Sequence, residues 1–389
     1  MSIPKGRFAT GLYTNWDSFV KVDEKTVSWV KSIGKVQPRE LILTSIEEVA
    51  HTLEEAFTRG GGEHLISKEL YDELNSMFSG RSKSLGGNGF HMGRALYSLG
   101  LLPLVSYPCR PPNLMAASPS FRVVDNGRLK FPKEAVRETD CEYEHIVFEF
   151  TRDLKLGIDA EGRQIFSWDM MSSSGLFDVD FLDYASTSKN IDVLILGYAH
   201  LLLPQHKRRT DELIDRLAHS QRPKVHLELG QGSEESVRYA MEKFSNSGCV
   251  DSWGMNEDEC VTYLGAESYE TSDLIEAVAN GVKKYGLSRI CVHSPEYVFS
   301  ISRYTLERET EALQAGCLAA AALTFGGSSI RLNLAKAKSL PTSKVVRLAK
   351  GKGEGYNLCL IPTYVNPKPK VLTGLGDTFA GVQAAIALR

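Results

Sequence analysis

The sequence has few of the features that mark nucleic-acid-binding, membrane or secreted proteins. Basic residues do not outnumber acidic ones and the net charge is −3, so no extended basic surface for nucleic acid is expected. The most apolar stretch, Leu313–Phe325, is short for a membrane helix and is interrupted by Gln314 and Gly316. The first seven residues contain no apolar signal core. We therefore expect a cytoplasmic protein that binds neither nucleic acid nor membranes.

Cysteine use also excludes two structural classes. The seven cysteines are scattered, and none of them forms a C-x-x-C pair. This pattern is typical of reduced thiols, and it favours neither a disulfide framework nor a zinc site. The sequence shows no internal repeat and no low-complexity tract. A chain of 389 residues with 42% hydrophobic residues is long enough for one large domain and a smaller one.

From about residue 191 onwards, short apolar segments alternate with amphipathic ones. The predicted strands are Val193–Leu196, Val225–Leu229, Ser252–Met255, Ile290–Val292 and Leu358–Ile361. The predicted helices are Thr210–His219, Ser233–Phe244, Ser272–Tyr285 and Glu309–Leu323. This alternation predicts an α/β domain with three layers, in which helices cover both faces of a mostly parallel sheet. Ligands in such domains bind beyond the carboxyl ends of the strands.

In the segment from about Val105 to Ser172, the sequence predicts short strands and few helices. Its predicted strands are Phe121–Val124, Arg128–Phe131, His145–Phe150 and Gln164–Trp168, joined in part by an Asp-Asn-Gly turn. We interpret it as a small β-rich lid domain inserted into the α/β body, although a decorative meander has the same pattern. We assign residues 17–45 and 105–172 to the lid, and 1–16, 46–104 and 173–389 to the body. Residues 46–78 look helical.

The most informative segment is a glycine-rich turn near the end of the chain. Gly374-Leu375-Gly376-Asp377 leads directly into an Ala-rich helical segment. The free N–H groups at a helix N-terminus bind anions, and glycines allow a ligand to approach the backbone closely. A carboxylate inside an anion site makes chemical sense if it is a base that takes a proton from an attacking hydroxyl. The alternative is an ordinary turn in which Asp377 caps the helix.

Two further polar groups lie at predicted strand ends. His226 and Glu228 alternate with Leu227 and therefore share one face of a strand, which suggests a site or simply a strand that reaches the surface. Asn256 and Glu259 follow the next strand. Their spacing is that of a helix capping box, but such a group can also present oxygen ligands to hydrated Mg²⁺.

The N-terminal part of the chain combines an acid, an amide and paired glycines. Asn15 and Asp17 precede the turn Gly86-Gly87-Asn88. Carboxylate and amide groups can bind the hydroxyls of a polyol, while glycines remove side chains that would clash with it. The alternatives are that Asp17 caps a helix and that the glycine turn serves tight packing or a nucleotide, although it lacks the Lys-Ser/Thr ending of a Walker loop.

Taken together, these motifs resemble one family. Asn15-x-Asp17, Gly86-Gly87-Asn88, His226-x-Glu228, Asn256-x-x-Glu259 and Gly374-x-Gly376-Asp377 occur in the order seen in ADP-dependent glucokinases and phosphofructokinases. The resemblance spans nearly the whole chain and implies a ribokinase-like fold. Gly-x-Gly-Asp alone marks the superfamily, whereas His-x-Glu together with Asn-x-x-Glu favours the ADP-using branch.

The resemblance implies transfer of the ADP β-phosphoryl group to fructose 6-phosphate, glucose or both, with Mg²⁺ as cofactor and AMP as product. Catalytic roles are implied for Asp377, Gly374, Gly376 and Arg163. Sugar binding is implied for Asn15, Asp17, Glu63, Gly87 and Asn88. Nucleotide binding is implied for His293, Pro362, Thr363, Val365 and Gly376. Metal binding is implied for Glu228, Glu259 and Asn256, with His226 in support.

Several alternatives remain open at this point. The chain could be an ATP-using ribokinase-type kinase, a kinase for a pentose or nucleoside, or a sugar- or nucleotide-binding regulator without catalysis. Glu63 follows three glycines and could equally be a solvated loop charge. The expected partners are the sugar and ADP, and the expected assembly is a monomer or a small homo-oligomer.

Overall fold

A computed structural model describes residues 5–142, 144–168, 175–326, 329–344, 349–353 and 355–389. The strands in these ranges are β1 (Phe8–Gly11), β2 (Asn15–Lys21), β3 (Ile42–Leu43), β4 (Glu63–Ile66), β5 (Ser82–Gly86), β6 (Leu104–Val105), β7 (Val123–Asp125), β8 (Arg128–Lys130), β9 (Glu144–Phe150), β10 (Gly162–Ser167), β11 (Val193–Tyr198), β12 (Lys224–Leu229), β13 (Ser252–Asn256), β14 (Arg289–His293), β15 (Tyr297–Ser302), β16 (Ala349–Gly353) and β17 (Tyr356–Pro362).

The α-helices in the described ranges are α1 (Glu24–Ser32), α2 (Ile46–Arg59), α3 (Lys68–Met77), α4 (Asn88–Ser98), α5 (Pro112–Ala117), α6 (Val179–Ala185), α7 (His206–Leu217), α8 (Glu234–Ser247), α9 (Glu257–Glu259), α10 (Thr271–Lys284), α11 (Leu306–Leu323), α12 (Ile330–Lys338) and α13 (Leu375–Ala387). A π-helical turn, Cys260–Leu264, continues α9. No helix in the described part of the chain is long and apolar enough to cross a membrane.

The larger sheet has nine strands in the order β16-β17-β15-β14-β13-β12-β11-β1-β6. The strands from β6 to β14 in this order run parallel, whereas β15, β16 and β17 add an antiparallel edge. Successive side chains of β11 point to opposite faces. Leu194 and Leu196 pack in the same core as α7, α8 and α10, whereas Val193 and Ile195 pack with α4 and α13. The predicted α/β fold with three layers and a mostly parallel sheet is confirmed.

The smaller sheet has six strands in the order β3-β4-β10-β9-β2-β5. One face is covered by α1, α2 and α3, whose apolar residues pack against Ile146, Phe148 and Phe166. The opposite face carries polar side chains, because alternation along β2 and β10 places Asp17 and Arg163 there. This polar face lines the cavity described below.

The smaller sheet does not contain every strand predicted in residues 105–172. The strands predicted within residues 121–131 lie outside it. β6 pairs in parallel with β1, and β7 and β8 form a separate hairpin around the predicted Asp-Asn-Gly turn, where Asn126 and Gly127 have positive φ. β4 and β5 instead join the smaller sheet, and β4 interrupts the region predicted as helical, 46–78. The pattern identifies strands but not their partners. The division into lid and body itself stays a prediction.

Candidate active site

A cavity of about 300 Å³ lies between the carboxyl ends of the parallel strands and the polar face of the smaller sheet. Twelve of the residues predicted for the site line it: Asn15, Asp17, Glu63, Gly87, Asn88, Arg163, Glu228, Asn256, Glu259, His293, Gly376 and Asp377. These residues come from β2, β4, β10, β12, β14 and the starts of α4, α9 and α13. The structure therefore brings together in one cavity motifs that are distant in sequence.

The glycine-rich turn opens α13 at one wall of the cavity. Gly374 is the N-cap residue and has a φ of 77°, a left-handed conformation that favours glycine. Asp377 is the third residue of the helix and not its cap, so the interpretation of Asp377 as a capping residue is wrong. The first N–H groups of α13 therefore lie beside a carboxylate at the positive end of the helix dipole.

Asp377 lies in an environment that favours its neutral form. Burial raises the pKa of Asp377 to about 6, although the positive charge of Arg163 opposes the shift. The negative charge of Glu228 adds to the increase, and the charge of His293 lowers it. A carboxylate whose pKa is raised toward neutrality is suited to accept a proton and release it again.

The side chain of Arg163 lines the same cavity. Its strand β10 pairs with β9 in a register that places Arg163 opposite Glu149. The Arg163 side chain makes no hydrogen bond or ion pair with the described residues, yet its charge acts on both Asp377 and Asp17. A partly buried guanidinium without a partner in a cavity is suited to bind an anionic ligand.

The carboxyl ends of β12 and β14 carry a hydrogen-bonded polar cluster. His226 Nε2 lies 2.7 Å from Glu228 Oε1, and His293 Nε2 lies 3.5 Å from Glu228 Oε2. Burial alone would raise the pKa of Glu228, but the hydrogen bonds from His226 and His293 lower it to about 2. These hydrogen bonds therefore favour the ionised form of Glu228.

Asn256 and Glu259 form the capping box that their spacing predicts. The Glu259 N–H donates to Asn256 Oδ1 at 2.8 Å, and the Asn256 N–H donates to Glu259 Oε2 at the same distance. Both residues also line the cavity, so the capping role and a ligand-binding role are compatible. Burial raises the pKa of Glu259 to about 7, and the charge of Glu228 adds to the increase.

The donor set suits a hydrated divalent cation better than a directly ligated one. Among the described residues, no group of three or more His, Cys, Asp or Glu side chains is arranged to hold a metal ion. Glu228 and Glu259 nevertheless face one cavity, and their mutual repulsion contributes to the raised pKa of Glu259. Mg²⁺ retains several waters and needs one or two carboxylates, so these residues fit that ion.

At the other end of the cavity, two glycines make room for an amide and a carboxylate. A Cβ on Gly86 would collide with the Asp17 carboxylate, and one on Gly87 would lie 2.6 Å from Asn15 Oδ1. Asn15 Nδ2 donates to Asp17 Oδ1 at 2.9 Å, while Asn15 Oδ1 is buried and has no hydrogen-bond partner among the described residues. Asp17 lies within β2, so it does not cap a helix, and Asp23 caps α1.

Asn88 serves mainly to hold three elements together. Its Oδ1 accepts hydrogen bonds from the backbone N–H groups of Leu12 and Tyr13 at 3.0 and 3.1 Å, and from Gly89 at 2.7 Å. Its Nδ2 donates to the carbonyl oxygen of Gly197 at 3.0 Å. One amide hydrogen remains for a ligand. The residue therefore links β1, α4 and β11 at the cavity wall.

Three residues predicted to bind the nucleotide lie outside the cavity lining. Pro362 is the last residue of β17, and Thr363 and Val365 follow it; the Thr363 hydroxyl donates to the carbonyl oxygen of Pro295. Val365 is 41% exposed. Of that predicted group, only His293 and Gly376 line the cavity. A nucleotide that reached all of them would have to extend beyond the cavity along the edge of the larger sheet.

Sequence reasoning did not assign several residues that line the cavity. Among them, Tyr198 ends β11 and Ala199 follows it, Gly230 and Gln231 follow β12, and His145 lies on β9. The rule that ligands bind at the carboxyl ends of strands points to the first four. His91, three residues after the turn Gly86-Gly87-Asn88, also lines the cavity.

The sequence model of one protein family, described as the ADP-specific phosphofructokinase/glucokinase conserved region, matches residues 6–383. The chain belongs to this family. A curated relative, the ADP-dependent glucose/glucosamine kinase of Pyrococcus furiosus, is 26% identical over 306 residues, which cover 69% of this chain and 66% of the relative. The corresponding kinase of Pyrococcus abyssi is 27% identical over 62% of this chain and 60% of its own length. These alignments span less than two thirds of either relative.

Solved structures support the fold over the full length of the chain. An ADP-dependent kinase in complex with fructose-6-phosphate and ADPβS has a TM-score of 0.79 at 17% identity, with 99% of this chain and 95% of that chain covered. A phosphofructokinase from Pyrococcus horikoshii OT3 with AMP has a TM-score of 0.70 at 21% identity, with coverage of 99% and 98%. The chain therefore has the fold of these ADP-dependent kinases.

Proposed function

We propose that the protein is an ADP-dependent sugar kinase that phosphorylates fructose 6-phosphate, with glucose as a second acceptor, and releases AMP. The observation that carries the proposal is the position of Asp377. Its carboxyl group lies in the cavity at the N-terminus of α13, with a raised pKa and a free guanidinium from Arg163 nearby. A base beside an anion site is the arrangement that phosphoryl transfer to a hydroxyl requires.

In the proposed reaction, Asp377 accepts the proton of the attacking sugar hydroxyl. The sugar oxygen forms a bond to the β-phosphorus of ADP, and the bond between that phosphorus and the bridging oxygen breaks, so AMP leaves with the electron pair. The N–H groups of Gly376 and Asp377, at the start of α13, stabilise the charge on the transferring phosphoryl group. Arg163 binds the same group from the smaller sheet.

The proposed cofactor is Mg²⁺, held through water by Glu228 and Glu259 with Asn256 in support. When bound, the ion neutralises charge on the phosphates of the donor. Glu228 is kept ionised by its hydrogen bonds with His226 and His293, and Glu259 becomes easier to ionise when a cation is nearby. The protein thus provides one carboxylate that is already ionised, Glu228, and a second, Glu259, whose loss of a proton would be coupled to the binding of a cation.

The acceptor is proposed from the sugar end of the cavity. Asn15 and Asp17 provide hydrogen-bond acceptors for hydroxyls, and Glu63 adds a further carboxylate, whose Oε1 accepts the Ser167 hydroxyl at 2.6 Å. The smaller sheet carries most of these groups, so its closure over the acceptor would exclude water from the phosphoryl group. We propose that it acts as the lid.

A coupled assay of AMP release tests the function. The purified protein is incubated with ADP and Mg²⁺, and fructose 6-phosphate, glucose, ribose and nucleosides are compared as acceptors, each also with ATP as donor. We expect AMP only when a hexose or hexose phosphate is present with ADP. A preference for ATP would move the chain to the general ribokinase-type kinases. Absence of turnover with every acceptor would favour a binding protein without catalysis.

A further inference from the structure

His91 lies directly beneath the glycine-rich turn and lines the same cavity. It belongs to the first turns of α4 and is only 5% exposed. A Cβ added to Gly374 would lie 2.6 Å from its Nδ1 atom and 2.9 Å from its Cε1 atom, so the absence of a side chain at Gly374 lets the imidazole lie against the turn. The ring therefore lies where the N-terminus of α13 meets the cavity.

The tautomer of His91 is fixed by Arg94, which lies one helical turn further along α4. Arg94 Nη2 lies 3.1 Å from His91 Nδ1. A guanidinium can only donate, so Nδ1 must accept and the ring proton must be on Nε2. Burial lowers the pKa of His91 well below its usual value, and the charges of Arg94 and Arg163 lower it further, so the ring stays neutral. Its Nε2–H group makes no hydrogen bond with the described residues.

Arg94 is a partly buried cation whose guanidinium lies over the Phe90 ring, with Cζ 5.4 Å from the ring centroid. No carboxylate among the described residues forms an ion pair with it, and its Nε atom is buried without a hydrogen-bond partner. Its charge instead acts over a longer range on Asp377 and Asp17, the two aspartates that line the cavity. Burying a guanidinium is costly unless something compensates it. An anionic ligand in the adjacent cavity would supply that compensation.

We propose that His91 is a further phosphoryl-binding residue, which donates its Nε2–H to an oxygen of the transferring phosphoryl group, and that Arg94 is the positioning residue that fixes its tautomer. The inference deepens the proposed function and rests on it, because ADP is taken as the donor. His91, the N-terminus of α13 and Arg163 would then provide three kinds of donor for one phosphoryl group: an imidazole, backbone amides and a guanidinium.

The test compares the affinities of ADP and AMP, because only ADP carries the β-phosphoryl group. Calorimetric titrations would use the parent protein and the variants His91→Phe, His91→Gln, Arg94→Met and Arg94→Lys. We expect His91→Phe to raise the Kd for ADP at least about tenfold, as for a lost hydrogen bond to a charged group. The Kd for AMP should stay within about twofold of the parent value. His91→Gln retains a donor near the position of Nε2, so ADP binding should stay close to that of the parent.

The Arg94 variants separate positioning from packing. Arg94→Met keeps an unbranched apolar side chain but removes the donor that fixes the imidazole tautomer, so the affinity for ADP should fall while that for AMP does not. Arg94→Lys restores a donor and should recover part of the loss. If His91→Phe lowers the affinities for ADP and AMP equally, or leaves the affinity for ADP unchanged, the inference is overturned even if the protein phosphorylates sugar. A parent protein that binds neither nucleotide would overturn the donor assignment and this inference together. Melting temperatures identify variants that fail to fold.

Discussion

The Thr373 hydroxyl donates a hydrogen bond to Glu149 Oε1 at 2.6 Å. Thr373 directly precedes the glycine-rich turn, and Glu149 lies on β9 of the smaller sheet, opposite Arg163. A second contact joins the smaller sheet to the larger one across the cavity: the N–H of Glu63, on β4, donates to Oε1 of Gln231, after β12, at 3.0 Å. The smaller sheet is therefore attached directly to the residue before the glycine-rich turn, so the position of Arg163 and the position of the turn are linked.

Breaking this attachment should slow catalysis more than it weakens binding. We expect Thr373→Val to lower kcat about tenfold, the effect of a lost hydrogen bond to a charged group, because the sheet that carries Arg163 is no longer held against the turn. ADP affinity should change little. Thr373→Ser keeps the hydroxyl and is the matched control. Equal kcat values for the Val and Ser variants would contradict the role of the hydrogen bond.

Asp377 should control the acid limb of the pH profile. Because burial raises the pKa of Asp377 to about 6, its base form is lost as the pH falls through that value, and kcat/KM should rise from pH 5 to a plateau above about 7. Asp377→Asn should lower kcat by about 10² to 10⁴-fold, the range for a general base, while ADP still binds. Turnover within a few-fold of the parent would rule out the base.

Much of the site could be predicted from the sequence because consecutive parallel strands end at the same edge of a sheet. β12 and β13 are neighbours, so the residues at their carboxyl ends, Glu228 and Asn256, had to lie near each other. The membership of the smaller sheet could not be predicted in this way. β4 and β10 are far apart in sequence, and alternation reveals that each is a strand but not which strand it pairs with.

The contact between His91 and the glycine-rich turn could not be predicted from the sequence either. The glycine-rich segment around it was recognisable, but its contact with Gly374 depends on how α4 packs against α13. Packing of this kind is set by the whole core and leaves no local pattern. The capping box at Asn256 was recognisable for the opposite reason, because both of its hydrogen bonds lie within four residues.

The metal assignment and the capping role can be separated by three variants. We expect Glu228→Gln and Glu259→Gln to raise the Mg²⁺ concentration for half-maximal activity about 10- to 100-fold, as for lost metal-supporting groups. Asn256→Ala should lower the free energy of unfolding by about 1 kcal/mol, the usual cost of a lost helix cap. Metal titrations and urea unfolding on all three provide the comparison. Unchanged Mg²⁺ titrations in both Gln variants would refute the metal site.

Beneath the polar cluster lies a fully buried ion pair that should dominate local stability. Arg289 Nε lies 3.0 Å from both carboxylate oxygens of Glu309, and the Ser300 hydroxyl donates to Glu309 Oε2. Glu309→Gln should lower the free energy of unfolding by about 3–5 kcal/mol, because it leaves the Arg289 charge buried without a partner. The double variant Arg289→Met, Glu309→Met should be closer to the parent in urea unfolding. If each single variant lost less free energy of unfolding than the double variant, the ion pair would not be needed to compensate the buried charges.

The choice of acceptor should depend on two side chains of opposite charge, Glu63 and Arg163. A carboxylate accepts hydrogen bonds from free hydroxyls but repels a phosphate, whereas a guanidinium binds phosphate with two parallel donors. Because Glu63 lines the cavity, Glu63→Ala should raise the KM for glucose about tenfold or more and leave fructose 6-phosphate unaffected. Glu63→Gln, which removes the charge but keeps the shape, is the matched control.

Arg163→Ala distinguishes two uses of the guanidinium, because Arg163 makes no hydrogen bond or ion pair with the residues that the structure describes. If Arg163 binds the transferring phosphoryl group, as proposed, kcat should fall with both acceptors, and Arg163→Lys should restore only part of it. If Arg163 binds the phosphate of the acceptor, only fructose 6-phosphate should be affected, through its KM. The charge of Arg163 acts on both Asp377 and Asp17, so its reach covers both ends of the cavity. Steady-state kinetics with both sugars therefore decide between the two uses, and a parent protein that phosphorylates neither sugar would refute the hexose assignment itself.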